Sequence, residues 1–88
     1  MIVRKLIIKN KLGLHARPAN LFVQTTSQFD ADVTVIKNGL EVNGKSIMGI
    51  MMLAAEQGSE ISVKADGIDE EELVEAIIKL IENKFNEE

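Results

Sequence analysis

The fold is decided at Gly13-Leu14-His15-Ala16-Arg17-Pro18, where an apolar, strand-like run has ended and a helix-like run begins. Pro18 has a fixed φ and no N–H, so it fits the first turn of a helix and not its interior. Gly13 can adopt the irregular backbone that joins a strand to a helix. A helix is therefore predicted to start at about Ala16, with His15 in its N-cap region.

The start of this helix is a predicted anion site. Unpaired backbone N–H groups and the positive end of the helix dipole gather there. Arg17 adds a permanently charged, forked donor. His15 is the only histidine in the chain, and histidine can form a covalent intermediate as a nucleophile. These residues predict a phosphoryl acceptor beside a phosphate-binding helix end. The plainer interpretation is a surface or capping histidine next to a solvated arginine.

Hydrophobic spacing divides the chain into elements in the order β-α-β-β-α-β-α. Ile2 to Lys9 is an apolar, β-branched run that predicts a first strand with Leu6 and Ile8 pointing inward. Further strands are predicted at residues 32–37, 40–42 and 61–65, and helices at 16–27, at 47–57 and from 69 onward. One sheet with amphipathic helices on one face is a two-layer α+β sandwich, expected as a single domain over residues 1–88. The strand order does not follow from the pattern.

Turn and capping residues mark the ends of these elements. Asn38-Gly39 is a strong signal for a tight hairpin. Ser46 is a good N-cap for the second helix, and Gly58 is placed to end it. Asp69 is expected to cap the acidic start of the last helix. The final residues, Asn86-Glu87-Glu88, are expected to be a frayed tail.

Composition excludes several classes of protein. Of the 88 residues 3% are aromatic, and the net charge is −4, so neither a base-stacking surface nor a direct nucleic-acid footprint is expected. The absence of cysteine and the single histidine argue against disulfides and metal sites, and no cofactor is expected. No apolar run is long enough for a signal peptide or for membrane insertion, which makes the cytoplasm the default location.

The segment from Gly39 to Ser46 matches the phosphate-binding loop pattern G-x-x-x-x-G-K-[ST]. We reject this match because Asn38-Gly39 already explains the segment as a hairpin, and because Glu41 would put a negative charge inside the cradle. Asp66 is an equally poor magnesium ligand, since its strand alternates like a half-exposed one. A small nucleotide-binding protein is therefore the weakest alternative.

The second predicted helix begins Ile47-Met48-Gly49-Ile50-Met51-Met52-Leu53-Ala54-Ala55, which is apolar nearly all round. A thin two-layer domain cannot bury every side of such a helix. Part of it is therefore expected to remain as a partner-binding surface with Met48 and Met51 exposed, although core packing must take some residues. A phosphate on Ser46 would meet favourable N–H groups at this helix start, although a structural cap is the plainer interpretation.

Two stretches of the sequence point to a known family: Asn10-Lys11-Leu12-Gly13-Leu14-His15-Ala16-Arg17-Pro18-Ala19 and Lys45-Ser46-Ile47-Met48-Gly49. With them the chain resembles the HPr family, the histidine-containing phosphocarrier proteins of the bacterial phosphoenolpyruvate:sugar phosphotransferase system. The element order agrees with this resemblance along essentially the whole chain. It implies an open-faced β-sandwich, in which a four-stranded antiparallel sheet is covered on one face by three helices.

The resemblance also implies roles for these residues. His15 would accept a phosphoryl group on Nδ1 from Enzyme I and pass it to the IIA unit of a sugar permease, as a relay protein without a reaction of its own. Arg17 would assist the transfer, and the backbone N–H groups of Ala16 and Arg17 would hold phosphate oxygens. Ile47 would join Met48 and Met51 in the partner-binding surface.

The segment around Ser46 is similar to that of low-GC Gram-positive members. There the HPr kinase/phosphorylase modifies the serine, and the product is a corepressor for catabolite control protein A. A purely regulatory module acting through Ser46 is an alternative, but one paralogous group of that kind lacks the histidine that this chain has at His15. A nitrogen-related branch shares the histidine motif and fits the serine segment less well. Many members have glycine in place of Ala54, which is expected to alter the helix end and its fit to partners.

Overall fold

The computed structural model describes residues 1–87, and this part of the chain contains four strands and three α-helices in the predicted order. The strands are β1 (Ile2–Ile7), β2 (Asp32–Lys37), β3 (Leu40–Asn43) and β4 (Glu60–Asp66). The helices are α1 (Ala16–Thr26), α2 (Ile47–Met52) and α3 (Glu70–Glu82), and a short 3₁₀ turn, Lys84–Asn86, follows α3. None of the helices in this described part combines the length and the apolar character that a membrane span requires.

The strands form one antiparallel sheet in the order β1-β4-β2-β3. β4 lies between β1 and β2, with Leu6 opposite Ile61 on one side and Val35 opposite Val63 on the other. Alternate residues of β2 and β4 are buried, so one face of the sheet lies against the helices and the other faces solvent. This arrangement confirms the predicted two-layer α+β sandwich.

The core lies between the covered face of the sheet and the apolar sides of the helices. Phe22 of α1 and Ile77 of α3 are fully buried there, in one cluster with Val35 and Val63 of the sheet. Phe85, which follows α3, belongs to the same cluster. Burial of each such side chain stabilises the fold by about 1.5–3 kcal/mol. This packing fixes the strands and helices, and therefore also the points at which the connecting turns begin and end.

The hairpin between β2 and β3 confirms the rejection of the phosphate-loop match. Asn38 and Gly39 have φ values of 50° and 83°, and a type I′ turn requires positive φ at both central residues. The two strands pair directly from this turn, with Lys37 opposite Leu40. The segment that begins at Gly39 is thus a paired strand, and its backbone does not form an open loop around a phosphate.

α2 ends at Met52 and not near Gln57, so the predicted end at Gly58 is wrong. The chain leaves the helix through Ala54, whose φ of 49° is unusual for a residue other than glycine. This left-handed residue turns the chain so that Ala55 is buried against the turn that precedes α1. Gly58, with a φ of 88°, lies instead in the turn before β4.

The start of α3 is held differently from the prediction. Asp69 occupies the N-cap position, but its side chain makes no capping hydrogen bond. Its carboxylate instead accepts the backbone N–H groups of Asp30 at 2.9 Å and of Ala31 at 2.8 Å. These bonds, above all the one from Asp30, lower the pKa of Asp69 below its ordinary value because they favour the charged form. Asp69 therefore ties the start of α3 to the turn before β2.

Candidate functional site

The turn between β1 and α1 begins earlier than predicted, because β1 ends at Ile7 and not at Lys9. Its shape is fixed by Asn10, which is fully buried. The Asn10 amide nitrogen donates to the carbonyl of Gly13 at 2.8 Å, and the Gly13 N–H donates back to the Asn10 carbonyl at 3.2 Å. Sequence reasoning did not identify this role of Asn10. The two bonds close the turn on itself.

Gly13 and Leu14 attach this turn to the segment that follows α2. Gly13 has a φ of 71°, and a Cβ atom there would overlap the carbonyl oxygen of Ala55. The Leu14 N–H donates to that same carbonyl at 2.8 Å, and the Leu14 side chain is buried. Such a close approach of two backbones requires glycine. Because Leu14 turns inward, the next residue, His15, lies at the surface.

His15 occupies the N-cap position of α1, which begins at Ala16 as predicted. Its carbonyl accepts the N–H of Ala19 at 2.8 Å, but its imidazole makes no capping hydrogen bond and is 43% exposed. The N–H groups of Ala16 and Arg17 lie in the first turn, where a helix offers them no partner. No acidic residue lies in this turn to offset the helix dipole. The helix start can therefore take an anion beside His15.

One open cavity of about 640 Å³ brings the predicted nucleophile and the predicted cation together. It is lined by Lys11, Leu12, His15, Arg17, Asn86 and Glu87. Within residues 1–87 the Arg17 guanidinium makes no ion pair, so its forked donors are available to a phosphate. Over the same residues no group of three or more histidine, aspartate or glutamate side chains is arranged to hold a metal ion.

Glu87 also belongs to this site, although the sequence predicts a frayed tail at Asn86-Glu87-Glu88. Its Oε2 lies 3.4 Å from Nε2 of His15 and accepts from Nδ2 of Asn10 at 3.2 Å. The prediction is therefore wrong for the first two residues of the tail, because burial of Phe85 holds the chain just before them. The last residue lies outside the described part. No local sequence signal indicates this contact.

Ser46 caps α2 as predicted. Its Oγ accepts the N–H of Gly49 at 3.0 Å, and its carbonyl accepts the N–H of Ile50 at 3.0 Å. The neighbouring Lys45 donates from Nζ to the carbonyl of Phe29 at 2.7 Å. The side chains of Lys45 and Ser46 therefore both make hydrogen bonds within the fold, and neither lines the cavity beside His15.

The outer side of α2 presents apolar side chains to solvent. Ile47 and Met51 are each 40% exposed and Met48 is 72% exposed, whereas Ile50 is fully buried. Met52 is 64% exposed and was missed, because an all-apolar run gives no signal of which side faces out. These four exposed residues form one apolar set, named the α2 patch below: Ile47, Met48, Met51 and Met52.

The family model described as PTS HPr component phosphorylation site matches residues 2–83 of this chain. The chain belongs to the HPr family. It is 51% identical over 88 residues to the phosphocarrier protein HPr of Xylella fastidiosa, and the match covers 100% of this chain and 99% of that relative. The crystal structure of HPr-C-His from Thermoanaerobacter tengcongensis matches with a TM-score of 0.96 and 53% identity, covering 100% of this chain and 99% of that one.

As an HPr, the chain is a phosphocarrier that works with other components of the phosphotransferase system. Its open four-stranded sheet with three helices is the HPr fold. The HPr-like protein Crh of Bacillus subtilis is also similar, with 43% identity over 84 residues that cover 96% of this chain and 99% of Crh. Because HPr proteins of Gram-negative Xylella and Neisseria are among the relatives, the low-GC Gram-positive type stays a prediction.

Proposed function

We propose that this HPr accepts a phosphoryl group on Nδ1 of His15 from Enzyme I and transfers it to the IIA units of sugar permeases. The observation that carries the proposal is an exposed imidazole that occupies a helix N-cap without capping the helix. The first-turn N–H groups of Ala16 and Arg17 have no intrahelical partner. A phosphoryl group on His15 would therefore meet donors that the fold has left unused.

The transfer exchanges one bond to phosphorus for another. The Nδ1 lone pair forms a new bond to phosphorus, and the bond to the donor atom breaks with its electron pair left on the donor. Negative charge is spread over the three equatorial oxygens during this exchange. The N–H groups of Ala16 and Arg17 and the Arg17 guanidinium would hold these oxygens. Such donors act without reorganisation because the helix start is already formed.

Ser46 is proposed as a regulatory phosphosite of the low-GC Gram-positive type, modified by the HPr kinase/phosphorylase and recognised by catabolite control protein A. Support comes from the family resemblance of residues 45–49 and from the position of Ser46 at a helix N-terminus. Further support is the 44% identity to a protein described as Crh, the Bacillus subtilis catabolite repression HPr. A phosphate there would gain favourable N–H contacts and add negative charge beside the α2 patch.

The α2 patch is proposed as part of the docking surface for Enzyme I and the IIA units. Flexible thioethers can adapt to several partners, which a relay protein with a donor and several acceptors needs. Ile47, Met48 and Met51 were expected in this surface, and the exposure of Met52 adds a fourth member. These partners imply a cytoplasmic location.

Incubation with phosphoenolpyruvate and Enzyme I, followed by intact-mass measurement, tests the carrier function. Wild-type protein should gain one acid-labile phosphate, and His15→Ala should gain none while it keeps its melting temperature. Arg17→Ala should slow the transfer by about 10- to 100-fold without stopping it, because the backbone donors remain. Arg4→Ala is the matched control, since Arg4 lies on β1 and is exposed.

Two outcomes would contradict the proposal. An unchanged phosphate on His15→Ala would assign the acceptor to another residue. Absence of phosphate on the wild type, together with efficient modification of Ser46 by a serine kinase and ATP, would favour the purely regulatory module instead. Binding of a nucleotide without any partner protein would favour the phosphate-loop interpretation that the hairpin argues against.

A further inference from the structure

The carboxylate of Glu87 bridges two residues of the site. Its Oε2 lies 3.4 Å from Nε2 of His15 and 3.2 Å from Nδ2 of Asn10, and the Glu87 side chain is only 18% exposed. Nδ2 of the buried Asn10 also donates to the carbonyl of Gly13 at 2.8 Å. A reversed amide would set its oxygen against two acceptors. Asn10 therefore holds the carboxylate beside the imidazole.

Residues 84–86 fold in an unusual way that brings Glu87 there. Lys84, Phe85 and Asn86 have positive φ values of 53°, 54° and 60°, a left-handed turn that L-residues rarely adopt in succession. Phe85 is 1% exposed, and the Glu87 N–H donates to the carbonyl of Lys84 at 3.0 Å. Burial of one aromatic side chain thus holds a turn whose next residue reaches His15.

A carboxylate beside one ring nitrogen decides what the other nitrogen can do. A neutral imidazole has one N–H and one lone pair, and a carboxylate only accepts hydrogen bonds. The Glu87 carboxylate, 3.4 Å from Nε2, therefore favours a proton on that nitrogen and leaves the lone pair that attacks phosphorus on Nδ1. We propose that Glu87 is a positioning residue that holds His15 in this tautomer and stabilises the positive charge that the ring gains on phosphorylation. This inference rests on the proposed function of His15.

The proton and the electron pairs balance in this step. Nδ1 forms the N–P bond with its lone pair, and the bond between phosphorus and the donor atom breaks with its pair left on the donor. The Nε2 proton stays on the ring, on the side that faces Oε2 of Glu87 at 3.4 Å. When the phosphoryl group moves to a IIA unit, the N–P pair returns to Nδ1 and the original tautomer is restored.

Repulsion between Glu87 and the incoming phosphoryl group is the competing effect. Nδ1 and Nε2 lie on different edges of the ring, so the imidazole separates a group on Nδ1 from the carboxylate. Glu87 also lines a depression of about 400 Å³ together with Lys9, Lys11, Lys84 and Gln57, so positive charges in this depression partly offset its charge. If positioning dominates, removal of the carboxylate should slow phosphorylation of His15. If repulsion dominates, its removal should make phosphorylation faster.

The test combines ¹⁵N NMR of the His15 ring with phosphorylation rates, on the full chain. In Glu87→Ala the ratio of the Nε2–H to the Nδ1–H tautomer should fall by about threefold, as expected for loss of a partly exposed ionic contact. Phosphorylation by Enzyme I should slow by about tenfold, the lower end of what partners of functional histidines contribute. Glu87→Gln should lie between the wild type and Glu87→Ala, because its amide oxygen keeps a partial negative charge beside Nε2 but not the full charge of a carboxylate. Glu71→Gln, on an exposed glutamate of α3, is the matched control.

The NMR measurement needs no partner protein, so it separates this inference from the proposed function. A tautomer ratio in Glu87→Ala equal to that of the wild type would overturn the positioning role. A faster phosphorylation of Glu87→Ala would also overturn it and would identify the carboxylate as a barrier to the phosphoryl group. A wild-type protein that takes no phosphate, but whose tautomer responds to Glu87→Ala, would contradict the carrier function alone.

Discussion

Two strand-to-helix junctions of this molecule place a proposed phosphate acceptor at a helix N-cap, and they use that position in opposite ways. At the β3–α2 junction, Oγ of Ser46 accepts the N–H of Gly49 at 3.0 Å. At the β1–α1 junction, the imidazole of His15 accepts no capping bond. α1 has 11 residues whereas α2 has 6, so the helix with the unused start is also the longer one.

The difference suits the different tasks proposed for the two residues. A phosphate on Ser46 would compete with a capping hydrogen bond that the fold already uses, which suits the switch proposed for this residue. A phosphoryl group on His15 would use donors that the fold does not need. It can arrive and leave while the turn keeps its shape through Asn10 and through the contact of Gly13 with Ala55.

Of the substitutions at the two junctions themselves, Gly13→Ala is expected to have the largest effect, because it loosens the histidine junction. Gly13 and Gly39 both have positive φ, but only at Gly13 would a Cβ atom meet another backbone. Gly39→Ala should cost about 1 kcal/mol for its φ alone. Gly13→Ala should cost about 3 kcal/mol and should also slow phosphorylation of His15, because the Ala55 backbone must move. Urea unfolding measures the first effect and intact mass with time measures the second. Equal costs for the two variants would show that the junction is not held in this way.

The α2 patch gives the serine junction its proposed partner surface, and Met48→Asp tests it. Met48 is 72% exposed, so the charge should leave the melting temperature nearly unchanged while it weakens binding to Enzyme I by about tenfold. Ile50→Asp is the contrasting variant, since an unpaired carboxylate at this fully buried position should destabilise the fold by several kcal/mol, as the buried-charge penalty implies. Wild-type affinity of Met48→Asp in a titration would remove Met48 from the docking surface, and a large loss of stability would place it in the core.

Much of the fold follows from local patterns. Residues 32–37 were predicted as a strand and form β2 with the same bounds, because alternation and a following Asn-Gly turn are local signals. The start of α1 at Ala16 was also predicted, since proline and glycine set it without help from distant residues. His15 and Arg17 could be predicted as site residues because they lie at this helix start, which local sequence signals define.

What the sequence could not show depends on contacts between distant residues. The pairing of β1 with β4 and the early end of α2 are settled by packing, which overrides the helical propensity of residues 53–57. The carboxylate of Asp69 bonds to a turn from another part of the chain and not to its own helix. Glu87 reaches Asn10 because the buried Phe85 holds the chain just before it, and the sequence of a polar tail does not indicate such a contact.

The two N-caps should differ in their contribution to stability. Ser46→Ala removes a capping hydrogen bond and should lower the free energy of unfolding by about 1 kcal/mol. His15→Ala removes none and should change it by less than about 0.5 kcal/mol, like an ordinary surface substitution. Ser46→Asp should retain stability, because aspartate also caps and its charge is favourable at the helix start.

The same serine variants test the link between the junctions. Ser46→Asp adds a negative charge beside the α2 patch, which should hinder docking of a partner with an acidic contact surface and slow phosphorylation of His15. Ser46→Ala adds no charge and should leave the rate unchanged. If Ser46→Asp receives phosphate at the wild-type rate, the proposed regulation of the carrier through Ser46 is wrong.

A further small effect is expected at Ala54, the left-handed residue through which the chain leaves α2. Ala54 is exposed and has a φ of 49°, a conformation that favours glycine, so Ala54→Gly removes backbone strain without losing buried contacts. Part of this gain is offset because glycine makes the unfolded chain more flexible. The free energy of unfolding should therefore rise by about 0.5 kcal/mol. Ala76→Gly, in the interior of α3, should instead lower it by about 1 kcal/mol. Urea unfolding of both variants compares the signs, and a loss of stability in Ala54→Gly would mean that α2 continues beyond Met52.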